Sequence, residues 1–297
     1  MSGSPLKISA YIPCYNNEET ILRSIESIQN QSHPIDEIIV IDDGSSDGSI
    51  EQIQKTRVRL LRNNSNLGRG AVRAFAMQQA ANELVLCCDA TNVLSPTFLA
   101  DALPLFQDAS VAGVFGKIIQ ASPRNAVERW RGRHLFNMGK TEEIRHYTIL
   151  ATFGAIVRRS AVLGVGNYSS KLRHSEDAEL GERLLRAGHN VIYAPNLLLV
   201  SVAQNPLSKV LERYWRWKVG SAEKTTLREY LGHVVYSIKV MAREDIQAGD
   251  PLSALISLLC PHYQFWKSKL GKRQNQIDPH SPDSQKGFTL ERHNRGA

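Results

Sequence analysis

Cysteine is scarce in this sequence, with four residues in a chain of 297. None of them forms a CxxC pair or has a histidine at zinc-ligand spacing, which argues against a structural zinc site. Cys87 and Cys88 are neighbours in an apolar run, so they are predicted to point to opposite faces of a strand. We therefore expect buried free thiols and a reducing, cytoplasmic environment.

Long hydrophobic runs are also missing. The best candidate, residues 252–260, has about half of the ~18 apolar residues that a membrane-spanning helix needs. Residues 1–7 contain no apolar core of a signal peptide. We therefore predict a soluble chain on the cytoplasmic side of the cell that at most lies on the inner face of the plasma membrane.

The glycine-rich signatures of several enzyme classes are absent. The first predicted strand, residues 7–12, runs into Cys14-Tyr15-Asn16 rather than GxGxxG, which argues against a dinucleotide-binding dehydrogenase. There is no P-loop and no GxSxG nucleophile motif. The formal charge of +7 favours anionic partners. Because no aromatic RNA-binding signature accompanies that charge, nucleic acid is not a predicted partner.

The first half of the sequence alternates between strand and helix signals. This order predicts a doubly wound α/β sheet with helices on both faces. Ligands of such sheets bind beyond the carboxyl ends of the strands, and Asp42, Asp43 and Asp89 lie at two such ends. The predicted strands are residues 7–12, 38–41, 58–61 and 83–88, and the predicted helices are residues 18–31, 67–81 and 96–106.

The second half is mixed and becomes helical towards its end. Residues 149–157 and 191–194 have the pattern of strands, and residues 177–187 have that of a helix. From residue 206 onward, apolar residues recur at helical spacing. The polar segment 271–297 has no periodicity and is predicted to be disordered.

Seven segments carry a more specific signal because they occur together and in one order. They are IPCYNNEE (12–19), VIDDGSSDG (40–48), NLGRG (66–70), CDATNVL (88–94), FGAIVRR (153–159), SED (175–177) and RYWRW (213–217). In this order they resemble the motifs of family-2 glycosyltransferases, over most of the chain. The last segment is similar to the QxxRW box of the polysaccharide-synthase branch of that family.

The resemblance implies a GT-A fold, which is an α/β, Rossmann-like mixed sheet flanked by helices, with a helical C-terminal extension. It implies a catalytic domain at residues 1–205, with a nucleotide-sugar-binding half at 1–115 and an acceptor-binding half at 116–205. Residues 206–270 would form the helical extension with its RxxRW-like box, and residues 271–297 the disordered tail. The implied activity is that of a hexosyl- or other glycosyltransferase.

For the donor site, the resemblance implies contacts with a nucleotide sugar, and UDP is the expected nucleotide. Pro13, Tyr15 and Glu18 would line the base and ribose pocket, and Asp42 would accept the imide proton of a uracil ring. The further implied donor contacts are Asp43, Arg69, Asp89 and Arg216. Arg69 lies at a predicted helix start, where an anion is favoured, and an ordinary solvated arginine explains it equally well.

Asp89 stands where the family usually has its DxD motif, whose two acids hold Mg²⁺ or Mn²⁺ against the donor diphosphate. Here Thr91 replaces the second acid, and Asn92 follows it. One carboxylate fewer predicts weaker metal binding, unless Asn92, a hydroxyl group or water completes the shell. Three outcomes are open: a weakened metal site, metal-independent transfer, and loss of activity.

By the same resemblance, Asp177 is the general base of an inverting transfer and takes the proton of the acceptor hydroxyl group. Glu176 would orient the base or the acceptor, although the helix dipole also favours an acidic residue at this position. Gly154 and Trp217 are the implied acceptor contacts. An inverting transfer needs no covalent nucleophile, and the sequence offers none.

The expected setting is the assembly of cell-surface polysaccharides, glycolipids or natural products, with a sugar, a lipid-linked or a small-molecule acceptor. The lack of spanning segments argues against a synthase that threads a polymer through a membrane. The alternative is a catalytically degenerate relative that binds nucleotide in a regulatory or scaffolding role, as Thr91 suggests.

The basic residues Lys239 and Arg243 accompany an apolar stripe of the helical segment. This pattern fits peripheral contact with a membrane or an ordinary helical subdomain.

Overall fold

Two compact units divide the chain. The computed structural model describes residues 7–140, 142–219 and 225–270. Of these, the first unit comprises the residues up to 118 together with 142–202, and the second comprises 119–140 together with 203–270. The tail predicted to be disordered, 271–297, lies outside the described residues. The predicted boundaries between a donor half, an acceptor half and an extension stay predictions.

An eight-stranded sheet forms the centre of the first unit. Its strands are β1 (Ile8–Cys14), β2 (Glu37–Asp42), β3 (Arg59–Arg62), β4 (Leu84–Cys88), β5 (Asn92–Leu94), β6 (Val111–Ile119), β7 (Gly154–Arg158) and β8 (Asn190–Ser201). Their order across the sheet is β3-β2-β1-β4-β7-β6-β8-β5. The first four neighbours are parallel, whereas β7 is antiparallel to β4 and β6, and β5 is antiparallel to β8. The predicted mixed α/β class is confirmed.

Helices cover this sheet and pack through apolar stripes. In the described residues of the first unit they are α1 (Ile21–Gln29), α2 (Ser49–Gln54), α3 (Arg69–Gln79), α4 (Phe98–Ala102) with a 3-10 turn after it (Leu103–Gln107), α6 (Arg159–Gly164) and α7 (Glu176–Arg186). Val72 and Ala76 of α3 and Leu180 and Leu184 of α7 are buried in one cluster, at the i, i+4 spacing of a helix face. Burial of a side chain of the size of Leu or Val contributes roughly 1.5–3 kcal/mol. This packing fixes both helices in place. Their first residues, Arg69 of α3 and Glu176 and Asp177 of α7, belong to the predicted site.

The pattern of the sequence does not predict β5 or β6, and it predicts a strand at 149–157 that is shorter in the structure. β5 has three residues, too few to show periodicity. β6 contains Gly116, which weakens a strand signal but is required here, because a Cβ would overlap the Leu197 carbonyl. In the segment before β7, the Thr152 N–H donates to Asp177 Oδ2 (3.1 Å) and so is not available to a neighbouring strand.

The second unit is helical. Its described helices are α5 (Ala126–His134), α8 (Leu207–Val219), α9 (Leu227–Tyr236), a π-helical segment (Ser237–Ala242), α10 (Arg243–Gln247) and α11 (Pro251–Leu270). Fully buried Trp130 donates through Nε1 to Ser257 Oγ (2.8 Å), and that hydroxyl group donates to the buried Asp245 (2.6 Å). Throughout the described part of the chain, no helix is both long and apolar enough to span a membrane.

Candidate active site

The loops that follow β1 and β2 are joined at the carboxyl ends of those strands. The Asn16 N–H donates to Ser45 Oγ (2.9 Å), and the Ser46 N–H donates to Asn16 Oδ1 (2.9 Å). The Gly48 N–H donates to Glu18 Oε2 (2.8 Å). Asn16 has a φ of 53°, in the left-handed region that asparagine tolerates better than most residues. The two loops therefore form one polar rim.

Asp42 ends β2 and is fully buried beside this rim. Its Oδ2 accepts a hydrogen bond from the Ser45 N–H (3.2 Å). Its Oδ1 is buried and has no hydrogen-bond partner among the described residues. An unpaired buried acceptor costs about 1–3 kcal/mol. Asp42 Oδ1 therefore lacks a hydrogen-bond donor, and its predicted contact with the imide of a uracil ring stays a prediction.

Asp43, the next residue, is hydrogen-bonded to the protein itself. Its Oδ1 accepts from Asn63 Nδ2 (2.8 Å) and the Leu67 N–H (2.9 Å), and its Oδ2 accepts from the Gly68 N–H (2.9 Å). Burial raises the pKa of Asp43, and these hydrogen bonds oppose the rise. Gly68 has a φ of 92° and precedes α3. Asp43 thus holds the turn that starts α3, and its predicted contact with the nucleotide stays a prediction.

The other predicted contacts of the base and ribose also lie at this edge. Pro13 is the second-last residue of β1, and Tyr15 follows that strand with a side chain that is 48% exposed. Arg69 is the first residue of α3 and is exposed. The side chains of Tyr15 and Arg69 are thus accessible, and their predicted contacts with a nucleotide stay predictions.

Arg73 connects the two acidic motifs of the sequence. It lies on α3, and its side chain is 1% exposed. Its Nη2 donates to Asp89 Oδ1 (2.7 Å), its Nε to Glu176 Oε1 (3.0 Å) and its Nη1 to Tyr11 Oη (3.2 Å). Burial alone would lower the pKa of Arg73, but Tyr11, Asp89 and Glu176 raise it well above its ordinary value. A permanent cation therefore joins the end of β4 to the start of α7.

The side chains around Asp89 do not make a tight site for a divalent cation. One oxygen of Asp89 is paired with Arg73. Thr91 supplies no carboxylate, and the side-chain amide of the buried Asn92 donates inward to the Phe153 carbonyl (2.8 Å). No group of three or more His, Cys, Asp or Glu side chains able to hold a metal occurs among the described residues. The predicted Mg²⁺ or Mn²⁺ would find one carboxylate oxygen of Asp89 that Arg73 does not use.

Asp177 and Glu176 begin α7 and differ in burial. Asp177 is half-buried, and its Oδ2 accepts from the Thr152 N–H (3.1 Å) and hydroxyl group (3.3 Å), while its Oδ1 accepts from the Ala178 N–H (2.9 Å). Glu176 is buried, with Oε1 on Arg73 and Oε2 unpaired among the described residues. Asp177 is thus an oriented, partly exposed carboxylate, and its predicted role as the general base and that of Glu176 beside it stay predictions.

The predicted acceptor contacts, Gly154 and Trp217, belong to different units, and the predicted donor contact Arg216 belongs to the same unit as Trp217. Gly154 starts β7, pairs with Cys88 and is buried, and a Cβ there would meet two methyl carbons of Leu199 at 3.0 Å. Packing therefore accounts for this glycine. Arg216 and Trp217 lie on α8 of the second unit. The contacts of these three residues with donor or acceptor stay predictions.

Sequence reasoning missed Arg73 and Tyr11. The sequence does contain a signal for Arg73, which is a charged residue on the apolar face of α3, next to Val72 and three residues before Ala76. A charged residue on such a face needs a buried partner. Tyr11 gives no signal, because it is an ordinary strand residue whose hydrogen-bond partner lies 62 residues away in sequence.

The model of the family "Glycosyl transferase family 2" matches residues 9–164, just over half of the chain. The chain belongs to glycosyl transferase family 2. The predicted family and the prediction of a glycosyltransferase enzyme are thereby confirmed.

Curated relatives of this family-2 glycosyltransferase include two N-acetylglucosaminyltransferases. That of Mesorhizobium japonicum is 24% identical over 89% of this chain and 67% of its own length. That of Sinorhizobium fredii is 23% identical over 76% of this chain and 60% of its own length. A hyaluronan synthase of Streptococcus pyogenes is 30% identical, over 39% of this chain and 31% of its own length. The chain thus spans about two thirds or less of these relatives.

Solved structures resemble the chain over most of its length. The mannosyltransferase PcManGT from Pyrobaculum calidifontis, in complex with GDP-Man and Mn²⁺, has a TM-score of 0.60 at 16% identity and covers 91% of this chain and 90% of its own. S. aureus TarS in complex with UDP-GlcNAc has a TM-score of 0.55 at 17% identity and covers 89% and 88%. At these identities the likeness concerns the fold, and the predicted GT-A fold is confirmed.

Proposed function

We propose that this family-2 glycosyltransferase transfers N-acetylglucosamine from UDP to a hydroxyl acceptor with inversion. The observation that carries the donor assignment is the buried, unpaired Oδ1 of Asp42 at the carboxyl end of β2. Uracil presents an N–H group where cytosine has a bare nitrogen, so a carboxylate favours uracil. The names of the two N-acetylglucosaminyltransferases and the TarS complex with UDP-GlcNAc support this choice of nucleotide and sugar.

Nucleotide binding tests the donor assignment. We expect isothermal titration of the full chain to show at least about tenfold tighter binding of UDP than of CDP, because CDP leaves Asp42 Oδ1 unpaired. Asp42→Asn should remove this preference. The matched control is Asp101→Asn, the same change at an exposed position of α4, which should leave both affinities unchanged. Equal affinities of the wild-type chain for UDP and CDP would overturn the assignment.

In the proposed reaction, the acceptor oxygen forms a bond to the anomeric carbon while the bond from that carbon to the diphosphate oxygen breaks. UDP leaves with the electron pair, and the hydroxyl proton passes to Asp177. Thr152 and Ala178 hold the Asp177 carboxylate in one orientation through three hydrogen bonds, which a general base requires. A single displacement inverts the anomeric centre, so an α-linked donor gives a β-linked product.

Release of UDP tests the transfer itself. We expect UDP-GlcNAc to release UDP in the presence of one or more members of a panel of mono- and oligosaccharide acceptors, and proton NMR of the product to show a β linkage. An α linkage would contradict inversion. If no acceptor of the panel stimulates the release of UDP, the alternative is favoured, which is a catalytically degenerate relative that binds nucleotide.

The proposed acceptor is a saccharide, free or lipid-linked, in the assembly of cell-surface polysaccharide or glycolipid. The names of the relatives, which include hyaluronan synthase, support this setting. Within it, Arg216 would contact the donor and Gly154 and Trp217 the acceptor. The variant Trp217→Ala should then raise KM for the acceptor more than KM for UDP-GlcNAc.

We further propose that the second unit lies on an anionic membrane surface. α9 has no buried residue, and Leu227, Leu231 and Val235 are each more than half exposed. Their spacing of four residues puts them on one stripe of the helix. A second exposed stripe on α11 consists of Leu252, Leu255, Leu259 and Trp266.

Basic side chains border the stripe that begins in α9. Arg228 directly follows Leu227, Lys239 directly follows Ile238, and all four side chains are exposed. Arg243, at the start of α10, is also exposed. An apolar stripe bordered by cations is complementary to a bilayer with anionic headgroups, where apolar side chains enter and cations remain among phosphates.

Co-sedimentation with vesicles tests this membrane contact. We expect the chain to pellet with phosphatidylcholine vesicles that contain phosphatidylglycerol, and much less with phosphatidylcholine alone. The double variant Leu231→Glu/Leu255→Glu, at two exposed positions, should stay in the supernatant. Ile144→Glu in the first unit, which is 51% exposed, is the matched control and should pellet. No pelleting of the wild-type chain, or a dimer that Leu231→Glu/Leu255→Glu dissociates, would overturn the proposal.

A further inference from the structure

Arg73, Asp89 and Glu176 form a compact charged cluster in the first unit. The guanidinium lies between the two carboxylates, at 2.7 Å from Asp89 Oδ1 and 3.0 Å from Glu176 Oε1. The side chains of Arg73 and Glu176 are 1% and 2% exposed, and that of Asp89 is 26% exposed. Because Arg73 is shielded from water, its attraction for both carboxylates is little screened by salt.

The packing prevents Arg73 from releasing Asp89. Its three guanidinium nitrogens donate to Asp89, Glu176 and Tyr11 Oη. A rotation away from Asp89 would also break the other two hydrogen bonds. Glu176, whose Oε2 is already unpaired among the described residues, would become a buried charge without a partner, which is strongly unfavourable.

A divalent cation has little to bind at Asp89. Mg²⁺ and Mn²⁺ prefer carboxylate and phosphate oxygens, and Thr91 offers a hydroxyl group where a second acid would stand. The Asn92 side-chain amide is turned inward to the Phe153 carbonyl. A cation near Asp89 would therefore meet one carboxylate oxygen, while a buried guanidinium pairs with the other.

We propose that Arg73 takes the place of a divalent cation as the charge partner of Asp89, so that this chain binds its donor without a tightly held metal ion. The inference rests on the proposed UDP-sugar function. Arg73 is then a positioning residue, which holds Asp89 on the donor side and Glu176 beside the general base. Asp89 can then accept hydrogen bonds from hydroxyl groups of the nucleotide sugar. Exposed cations such as Arg69 would stabilise the negative charge of the leaving diphosphate.

Electron paramagnetic resonance of Mn²⁺ with the full chain, without nucleotide, tests the metal part directly. We expect no stoichiometric Mn²⁺ binding by the wild-type chain at micromolar concentrations. Thr91→Asp restores a second acid at a partly exposed position and should tighten Mn²⁺ binding by at least about tenfold, because carboxylate number sets the affinity. Thr97→Asp, the same change at an exposed position before α4, should not. Micromolar Mn²⁺ binding by the wild-type chain would overturn the proposal.

A second measurement tests the role of Arg73. Arg73→Gln, if folded by circular dichroism, should gain Mn²⁺ affinity, because it frees Asp89 from its cation; a merely structural role would produce no gain. If Arg73→Gln does not fold, Arg73→Lys keeps the charge without the three-way hydrogen bonding and should show no gain. A gain in Arg73→Lys equal to that in Thr91→Asp would overturn the assignment.

Titration of UDP in EDTA and in Mn²⁺ separates this inference from the proposed function. We expect the two UDP affinities to agree within about threefold, which is under 1 kcal/mol. A loss of tenfold or more in EDTA would overturn the metal-free inference and leave the UDP-sugar function intact. Absence of UDP binding in both buffers would overturn the proposed function, whereas the Mn²⁺ resonance measurement without nucleotide tests metal binding by the protein independently of that function.

Discussion

Arg73 Nε donates a hydrogen bond of 3.0 Å to Glu176 Oε1 and so joins α3 to α7 across 103 residues of sequence. Both side chains are almost completely buried. The same guanidinium binds Asp89 at the end of β4. Asp89 and Glu176, the residue next to Asp177, are therefore parts of one ion-pair cluster.

Arg73→Met should lower the free energy of unfolding by about 3–5 kcal/mol, because it leaves Glu176 as a buried charge without its partner. Urea denaturation followed by far-ultraviolet circular dichroism measures the loss. Arg69→Met, on the same helix at an exposed position, is the control and should change the value by less than about 0.5 kcal/mol. A loss below about 1 kcal/mol in Arg73→Met would contradict this expectation and show that other groups compensate the charge of Glu176.

Asp177→Asn should lower kcat of sugar transfer by roughly 10²–10⁴-fold, because an amide cannot accept the acceptor proton. The affinity for UDP should stay within about twofold, since the amide keeps the shape of the side chain. Steady-state kinetics and isothermal titration measure the two effects. Glu179→Gln on the same helix, whose carboxylate pairs with Arg183, is the control and should retain kcat. A rate near that of the wild type in Asp177→Asn would exclude this residue as the base.

Gly70→Ala should destabilise the first unit by about 1–3 kcal/mol, the usual range for overpacking. A Cβ at Gly70 would overlap the carbonyl oxygens of Ser169 and Leu172, which are backbone atoms and cannot rotate away. Gly164→Ala, at the end of α6 with open space around it, is the matched control and should be neutral or slightly stabilising. Equal melting temperatures for the two variants would contradict the close approach at Gly70.

Asp250→Asn should destabilise the second unit in a pH-dependent manner. Arg129 donates two hydrogen bonds to Asp250 (2.7 and 2.9 Å), and these hold the pKa of Asp250 below its ordinary value of 3.8. A carboxyl group with a lowered pKa stabilises the folded state above the ordinary value, and this contribution is lost as pH falls below it. We expect a loss of about 1–3 kcal/mol at pH 7, which shrinks progressively below pH 3.8.

Tryptophan fluorescence measures this effect selectively. The four tryptophans of the chain, Trp130, Trp215, Trp217 and Trp266, all belong to the second unit. The control is Asp101→Asn in the first unit, which should leave the urea midpoint of this fluorescence transition unchanged. A difference between Asp250→Asn and the wild type that persists undiminished below pH 3 would contradict the lowered pKa.

Local patterns predicted the first part of the fold well. β1, β2 and β4 are apolar runs that end at polar or turn residues, and such runs are visible without knowledge of their neighbours. The buried free thiols were also predicted, and all four cysteines are buried and unpaired. β5 and β6 were not predicted, because one is too short for a pattern and the other contains glycines that only its partner strand explains.

The sequence indicated candidate site residues but not the hydrogen bonds that they make, and their roles in binding and catalysis stay predictions. The motifs indicated Asp42, Asp89 and Asp177, and the structure places them at the ends of β2 and β4 and at the start of α7. The sequence does not reveal that the Asp43 carboxylate accepts hydrogen bonds from the N–H groups of Leu67 and Gly68 in the turn before α3. Such assignments depend on which N–H groups a carboxylate meets, and these come from segments distant in the chain.

By itself, the sequence determined the family, the order of the motifs and the replacement of the second DxD acid by Thr91. These are properties of residue identity and spacing, which need no coordinates. Only the tertiary structure decided that Arg73 pairs with Asp89 and Glu176, and that Asp42 retains an unpaired buried oxygen. The physical reason is that charge compensation and hydrogen-bond satisfaction depend on distances between residues far apart in sequence, which chain folding alone brings within about 3 Å.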